Sequence, residues 1–141
     1  MKVKRVLLCL ITAVAMTSAV LGCGRMAVEA GLEINPGARI SVVVNVDGSV
    51  AETDGFSVGG NKKIMLTAGS NALDALIVAA KDMGVEVKCN GDYVTRIGDL
   101  GEKSCGPISG WMYDVNGEMP NESAVKYIVR DGDVITFTFW K

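Results

Sequence analysis

One helix-forming segment stands among several strand-forming ones, and this limits the fold more than any other feature of the sequence. Apolar residues at helical spacing occur together in one place after residue 38, at Leu73, Leu76, Ile77, Ala80 and Met83. Their spacing of three or four residues predicts an amphipathic helix. Ser70 is the expected N-cap, and Gly84 is the residue expected to end the helix.

The segments around this helix alternate apolar and polar residues, as strands with one buried face do. We predict strands at residues 40–46, 62–67, 85–89, 93–97, 111–115 and 134–140. Residues 123–127 are expected to form a single helical turn. For residues 49–60 the sequence allows two alternatives, a weak hairpin strand or a loop. Strands that pack against one segregated helix indicate an α+β architecture.

The first residues predict export. Lys2, Lys4 and Arg5 precede an uncharged apolar run, as in a secretory signal. The run is short for a membrane-spanning helix, which needs about 20 apolar residues. It ends in Val20-Leu21-Gly22-Cys23, which resembles the lipobox of bacterial lipoproteins. That resemblance implies cleavage before Cys23 and a lipid on its sulfur, which would anchor the protein outside the cytoplasm. Ordinary cleavage after Ala19 is the alternative.

The predicted organisation is a signal peptide at residues 1–22, a tether at 23–38 and one domain at 39–141. The signal holds three of the 14 basic residues and none of the 16 acidic ones, so the mature chain has 11 basic and 16 acidic residues. Nucleic-acid binding depends on basic patches that neutralise phosphates. This acidic balance therefore argues against a nucleic-acid partner.

Two of the four cysteines remain after the signal and the lipid site are assigned, and these are Cys89 and Cys105. In an oxidising compartment such a pair indicates a disulfide. It would close a loop of about 17 residues and contribute on the order of 3 kcal/mol. A metal site is the alternative, but the chain has no histidine and two thiolates are an incomplete zinc ligand set.

The sequence lacks the residue sets that usually carry catalysis. With no histidine there is no Ser-His or Cys-His pair and no imidazole base. Several carboxylates stand beside glycine, where such groups commonly cap their own turn: Asp47, Asp54, Asp131 and Asp133. The glycine pairs lack the pattern of a phosphate-binding loop. We therefore predict neither an enzyme nor a metal site nor an intrinsic cofactor.

Residues 91–98 and 110–117, together with Arg130-Asp131-Gly132-Asp133, resemble the transcobalamin-like C-terminal domain family (DUF4430). The similarity spans about residues 39–141 and implies a β-grasp-like fold, in which a mixed sheet wraps one main helix. In the animal carriers of that group, this domain covers one face of a corrinoid and a separate helical domain covers the other. This sequence has no such helical domain, so we expect it to cover about half of a ligand, whereas good pockets bury 70–90%.

The resemblance implies that Trp111, Met112 and Tyr113 contact a flat ligand, with Tyr93 as a further contact. The competing interpretation is core packing, because Trp111, Tyr113 and Val115 share one face of a strand. The function implied is a lipid-anchored module that captures cobalamin or another corrinoid and passes it to an uptake transporter. Without a histidine, the protein is expected to leave the lower axial base of cobalamin in place. The alternative is a cell-surface protein-interaction or structural module with no small-molecule ligand.

Overall fold

The computed structural model describes residues 37–141. Its strands and single α-helix are β1 (Arg39–Asp47), β2 (Gly59–Thr67), α1 (Ala72–Met83), β3 (Val87–Asn90), β4 (Tyr93–Ile97), β5 (Leu100–Gly101), β6 (Gly110–Val115) and β7 (Val134–Trp140). The predicted α+β class is confirmed. No helix in this range is long and apolar enough to cross a membrane. The predicted signal peptide, the lipid site Cys23 and most of the tether lie outside the described residues.

The larger of two sheets has the strand order β2-β1-β7-β6. Strand β1 runs antiparallel to β2 and parallel to β7, and β7 runs antiparallel to β6. Helix α1 packs against β1 and β2, which is the predicted β-grasp-like arrangement. The alternation predicted for β1 and β7 is confirmed, because the core contains Ile40, Val42, Val44, Val46, Ile135, Phe137 and Phe139.

Helix α1 begins one residue later than predicted. Its N-cap is Asn71 rather than Ser70: the Asn71 side chain accepts a hydrogen bond from the Asp74 N–H at 2.8 Å, and the Asp74 carboxylate accepts one from the Asn71 N–H at 3.1 Å. This reciprocal pair is a capping box, which satisfies two backbone donors at once. Gly84 ends the helix in the left-handed conformation (φ 72°), as predicted.

The buried face of α1 consists mainly of alanine. Its fully buried residues are Ala72, Ala75, Leu76, Ala79 and Ala80. The prediction that Ile77 belongs to this face is wrong, because that side chain is 48% exposed. Leu73 and Met83 are only partly buried. Four alanines and Leu76 thus form the buried face, whereas Leu73 and Met83 lie at its margin and Ile77 lies outside it.

The connections between elements correspond in part to the expectations from sequence. Residues 49–60 contain a short 3-10 helix (Ser49–Asp54) and the start of β2. The predicted hairpin is confirmed as β3 and β4, and the two-residue strand β5 completes a second sheet with the order β3-β4-β5. The expected single helical turn is present, since the N–H groups of Lys126 and Tyr127 donate to the Ser123 carbonyl at 2.9 and 3.1 Å.

The prediction that four carboxylates cap their own turns is confirmed for Asp47 and Asp133, whereas Asp54 accepts from the Lys141 ammonium and Asp131 from another strand. Asp133 accepts hydrogen bonds from the Arg130 N–H at 2.8 Å and from the Asn116 side-chain amide at 2.9 Å. Asn116, itself at φ 54°, accepts a bond from the Val134 N–H at 2.9 Å. Asp131 accepts one from the Ser41 N–H at 2.7 Å. These contacts fix the end of β6 and the start of β7 relative to β1.

The disulfide predicted between Cys89 and Cys105 is not formed, and both thiols are free. Cys89 lies on β3, whereas Cys105 follows β5, and β4 separates these two strands. The Cys105 side chain is instead hydrogen-bonded to the Asp54 carboxylate. Burial and the nearby Asp54 carboxylate raise the pKa of the Cys105 thiol, which favours the less reactive protonated form.

Candidate ligand-binding cleft

A cleft of about 430 Å³ opens between the tip of the β3–β4 hairpin, strand β6 and the loop after β6. Its lining includes all four residues predicted to contact a ligand, namely Tyr93, Trp111, Met112 and Tyr113. The fold therefore brings these side chains together from two separate sheets. Their role in binding stays a prediction, and their surroundings determine what each of them can do.

Trp111 forms the floor of the cleft. Only 2% of its surface is exposed, its indole Nε1–H donates to the Leu100 carbonyl at 3.0 Å, and its ring meets Phe139 edge to face at 5.3 Å. A ring held in this way has little face to offer a ligand. Core packing therefore describes Trp111 better than direct stacking, and it describes the buried Val115 as well.

Tyr113 joins strand β6 to the loop that follows it. Its ring stacks on Phe137 with centroids 5.7 Å apart, and its hydroxyl donates to the Glu122 carbonyl at 2.6 Å. Burial, followed by the Glu122 carboxylate, raises the pKa of Tyr113 to about 12. The phenol therefore remains protonated near neutral pH and keeps this hydrogen bond.

Tyr93 and Met112 are the accessible walls of the cleft, with 40% and 43% of their surfaces exposed. The Tyr93 hydroxyl lies against Gly110 at the start of β6, where a Cβ atom would be 2.5 Å from the phenolic oxygen. A glycine at this position allows the ring to approach the strand. Burial, with a smaller contribution from Glu102, raises the pKa of Tyr93.

One wall of the cleft was missed from sequence, and it lies in residues 119–124. This loop returns along β6 through a pair of hydrogen bonds between Val115 and Glu118, at 2.9 and 3.1 Å. Ser123 in the same wall has a buried hydroxyl oxygen with no hydrogen-bond partner among the described residues. The loop has no helix or strand periodicity, so its sequence carries no local signal of its position.

The lining is apolar with an acidic rim. Asp92 and Glu122 contribute to it, and neither a lysine nor an arginine of the described chain does. The negative electrostatic field of these carboxylates attracts positive groups and repels anions. Within residues 37–141, no three His, Cys, Asp or Glu side chains are grouped so that they could hold a metal ion.

Comparisons with known proteins bear on the family and the fold. The model of the family described as a domain of unknown function, DUF4430, matches residues 69–141. No curated protein matches the sequence. The crystal structure of haptocorrin in complex with Cbi is similar, with a TM-score of 0.59 and 22% identity over 81% of this chain and 28% of the haptocorrin chain. A candidate metal binding protein from Ruminococcus gnavus ATCC 29149 has a TM-score of 0.49 and 15% identity over 72% of this chain and 97% of its own.

Proposed function

Because this chain belongs to the DUF4430 family, we propose that it is a non-catalytic binding module whose cleft takes a corrinoid or a similar flat ligand outside the cytoplasm. The observation that carries the proposal is the convergence of Tyr93, Met112 and Tyr113 above the Trp111 floor in one apolar cleft. Its volume, about 430 Å³, is within the usual range for small-molecule sites. The similar fold of haptocorrin, crystallised in complex with Cbi, adds support.

In this proposal the ligand contacts the accessible walls rather than the floor. Met112 and the edge of the Tyr113 ring offer apolar surface, and Tyr93 closes one end of the cleft. Burying such surface contributes about 25 cal/mol per Å². Trp111 acts indirectly, since it holds β6 against the core at the level of the cleft.

Coverage of the ligand would be one-sided. The chain spans 28% of the haptocorrin chain, so the domain described by the structure would contact a single face of a flat ligand. An open complex retains more solvent contact, and its affinity is expected to be in the micromolar range. With no histidine in the chain, the protein has no imidazole to offer a metal centre, and a bound cobalamin would keep its own lower base.

The location follows from the N-terminal residues. We assign the lipid anchor to Cys23 on the basis of Val20-Leu21-Gly22-Cys23, with residues 23–38 as the tether. A ligand captured in the cleft would then stay close to an uptake transporter in the same membrane. Replacing Cys23 with alanine is expected to move the protein from the membrane fraction to the soluble fraction of the exporting cell. Retention of the Cys23→Ala variant in the membrane fraction would contradict the assignment.

Spectral titration and equilibrium dialysis of the protein with cobalamin test the binding proposal. Saturable retention at micromolar ligand is expected, with a loss of several-fold in affinity for Met112→Ala. Met65→Ala is the matched control, because Met65 is 50% exposed on β2 and does not line the cleft. Absence of saturable retention, or an equal effect of the two variants, would refute corrinoid binding in this cleft.

A further inference from the structure

The cleft contains a stretch of strand edge that is not paired with another strand. In an antiparallel ladder, the N–H and C=O groups of successive residues point alternately toward the partner strand and away from it. Asn116 donates to Val134 at 2.8 Å, on the side of β7, whereas Val115 exchanges hydrogen bonds with Glu118 on the opposite side. By this alternation, the N–H and C=O groups of Tyr113 also point away from β7, toward the cleft.

The register of Tyr113 opposite Phe137 gives its backbone no bond to β7, and no turn or loop hydrogen bond of the described residues reaches this backbone. The register set by Val115 and Glu118 would place residue 120 opposite Tyr113. Residue 120 is proline, which has no N–H to donate and commonly ends strand pairing. One donor and one acceptor therefore remain open beside apolar side chains, where groups of this kind require a partner.

The free edge is short and has defined ends. The Tyr93 hydroxyl lies at the backbone of Trp111 on one side, and the Glu118 pairing closes the other side. By the same alternation the groups of Met112 point toward β7, so the open N–H and C=O belong to Tyr113. The stretch beside residues 111–113 leaves space for about three residues of an added strand at about 3.4 Å each. Strand addition of this kind derives affinity from backbone hydrogen bonds and specificity from neighbouring side chains.

The charge of the rim indicates which peptide fits. Asp92 and Glu122 line the cleft without a basic counterpart among the described residues, so a positively charged segment is favoured over a neutral or acidic one. We propose that the edge of β6 binds a short, extended, positively charged segment of a protein partner as an additional strand. The inference does not depend on the corrinoid proposal, because it requires the Tyr113 backbone rather than the exposed side chains of Tyr93 and Met112.

Fluorescence anisotropy with the labelled peptide Ac-Lys-Val-Lys-Val-Lys-NH₂ tests the proposal. The same peptide with its three central amides N-methylated keeps the charges but cannot donate from the backbone, and it should bind about tenfold more weakly. Hydrogen exchange measured by NMR should show that the peptide slows exchange of the Tyr113 amide. Equal affinity of the two peptides, or unchanged exchange at Tyr113, would overturn strand addition.

Two double variants test the charge requirement. Asp92→Asn with Glu122→Gln should weaken peptide binding about three- to tenfold, since each partly exposed ion pair contributes modestly. Asp82→Asn with Glu86→Gln removes the same charge at exposed positions outside the cleft and should change binding little. Equal losses in both variants would overturn the assignment of the acidic rim.

Cobalamin titrated in parallel separates the two proposals. Retention of cobalamin without peptide binding would overturn strand addition and leave the corrinoid proposal standing. Peptide binding without cobalamin retention would overturn the corrinoid proposal and support strand addition. If both ligands bind and compete, both proposals are supported, since the two ligands would share one cleft.

Discussion

Replacing Trp111 with phenylalanine tests whether this residue is the floor of the cleft or a ligand-stacking ring. The substitution removes the indole N–H and leaves the buried Leu100 carbonyl without the donor that now lies 3.0 Å away. An unsatisfied buried polar group costs about 1–3 kcal/mol. The smaller ring also loses contact with Phe139, which adds about 1 kcal/mol. We therefore expect the free energy of unfolding to fall by about 2–4 kcal/mol, a large part of the 5–15 kcal/mol that stabilises typical domains.

Urea unfolding followed by far-UV circular dichroism measures this loss without depending on tryptophan fluorescence. The midpoint should fall while the m-value stays the same, because the folded surface is unchanged. Trp140→Phe is the matched control, since Trp140 is 53% exposed and its replacement should cost less than about 0.5 kcal/mol. If Trp111→Phe destabilises the protein no more than Trp140→Phe does, the indole is not a structural floor and the argument for its burial fails.

Three further substitutions or titrations address the helix cap, the strand-to-loop contact and the cleft wall. Asn71→Ala should lower stability by about 1 kcal/mol in urea unfolding, whereas Ser70→Ala should have little effect because the cap is at Asn71. Ultraviolet absorbance should show Tyr113 titrating with a pKa of about 12. Because this pKa is raised in the folded state, the contribution of Tyr113 to stability should be complete below about pH 10 and lost between about pH 10 and 12. A normal Tyr113 titration would show that the ring is solvated. Gly110→Ala should displace the Tyr93 ring from β6 and change ligand affinity with little change in the urea midpoint; unchanged affinity would contradict the contact.

Much of the fold could be predicted because the strands carry a local signal. The period of two in β1 and β7 follows directly from which side chains are buried, and Gly84 marks the helix end through its left-handed conformation. The sequence also contained a signal for the N-cap, because Asp74 follows Asn71 at the three-residue spacing of the capping box. By residue type alone, however, Ser70 is an equally acceptable N-cap. The burial of Ile77 depends instead on how the helix is rotated against the sheet, which its own spacing cannot fix.

The candidate site was harder to predict than the fold. The alternation in β6 placed Trp111 and Tyr113 on one face, but whether that face contacts solvent or core depends on Leu100 and Phe139, which lie elsewhere in the chain. The wall formed by residues 119–124 is positioned by the Tyr113 hydroxyl and by the Glu118 pairing. These are tertiary contacts of an irregular loop, and the periodicity of the sequence cannot predict them.

The position of β7 has a consequence for how the domain acquires its structure. This strand lies between β1 and β6 although it follows both in sequence. The Asn45 amide of β1 donates to the Thr136 hydroxyl of β7, which lies 91 residues further along the chain. The β1–β2 pair can form early from nearby residues, but the sheet cannot close until β7 inserts. Such non-local closure is slow, and the edges of β1 and β6 stay available for wrong pairing meanwhile. A ribosome or translocation channel that withheld residues 134–140 would keep the whole domain open.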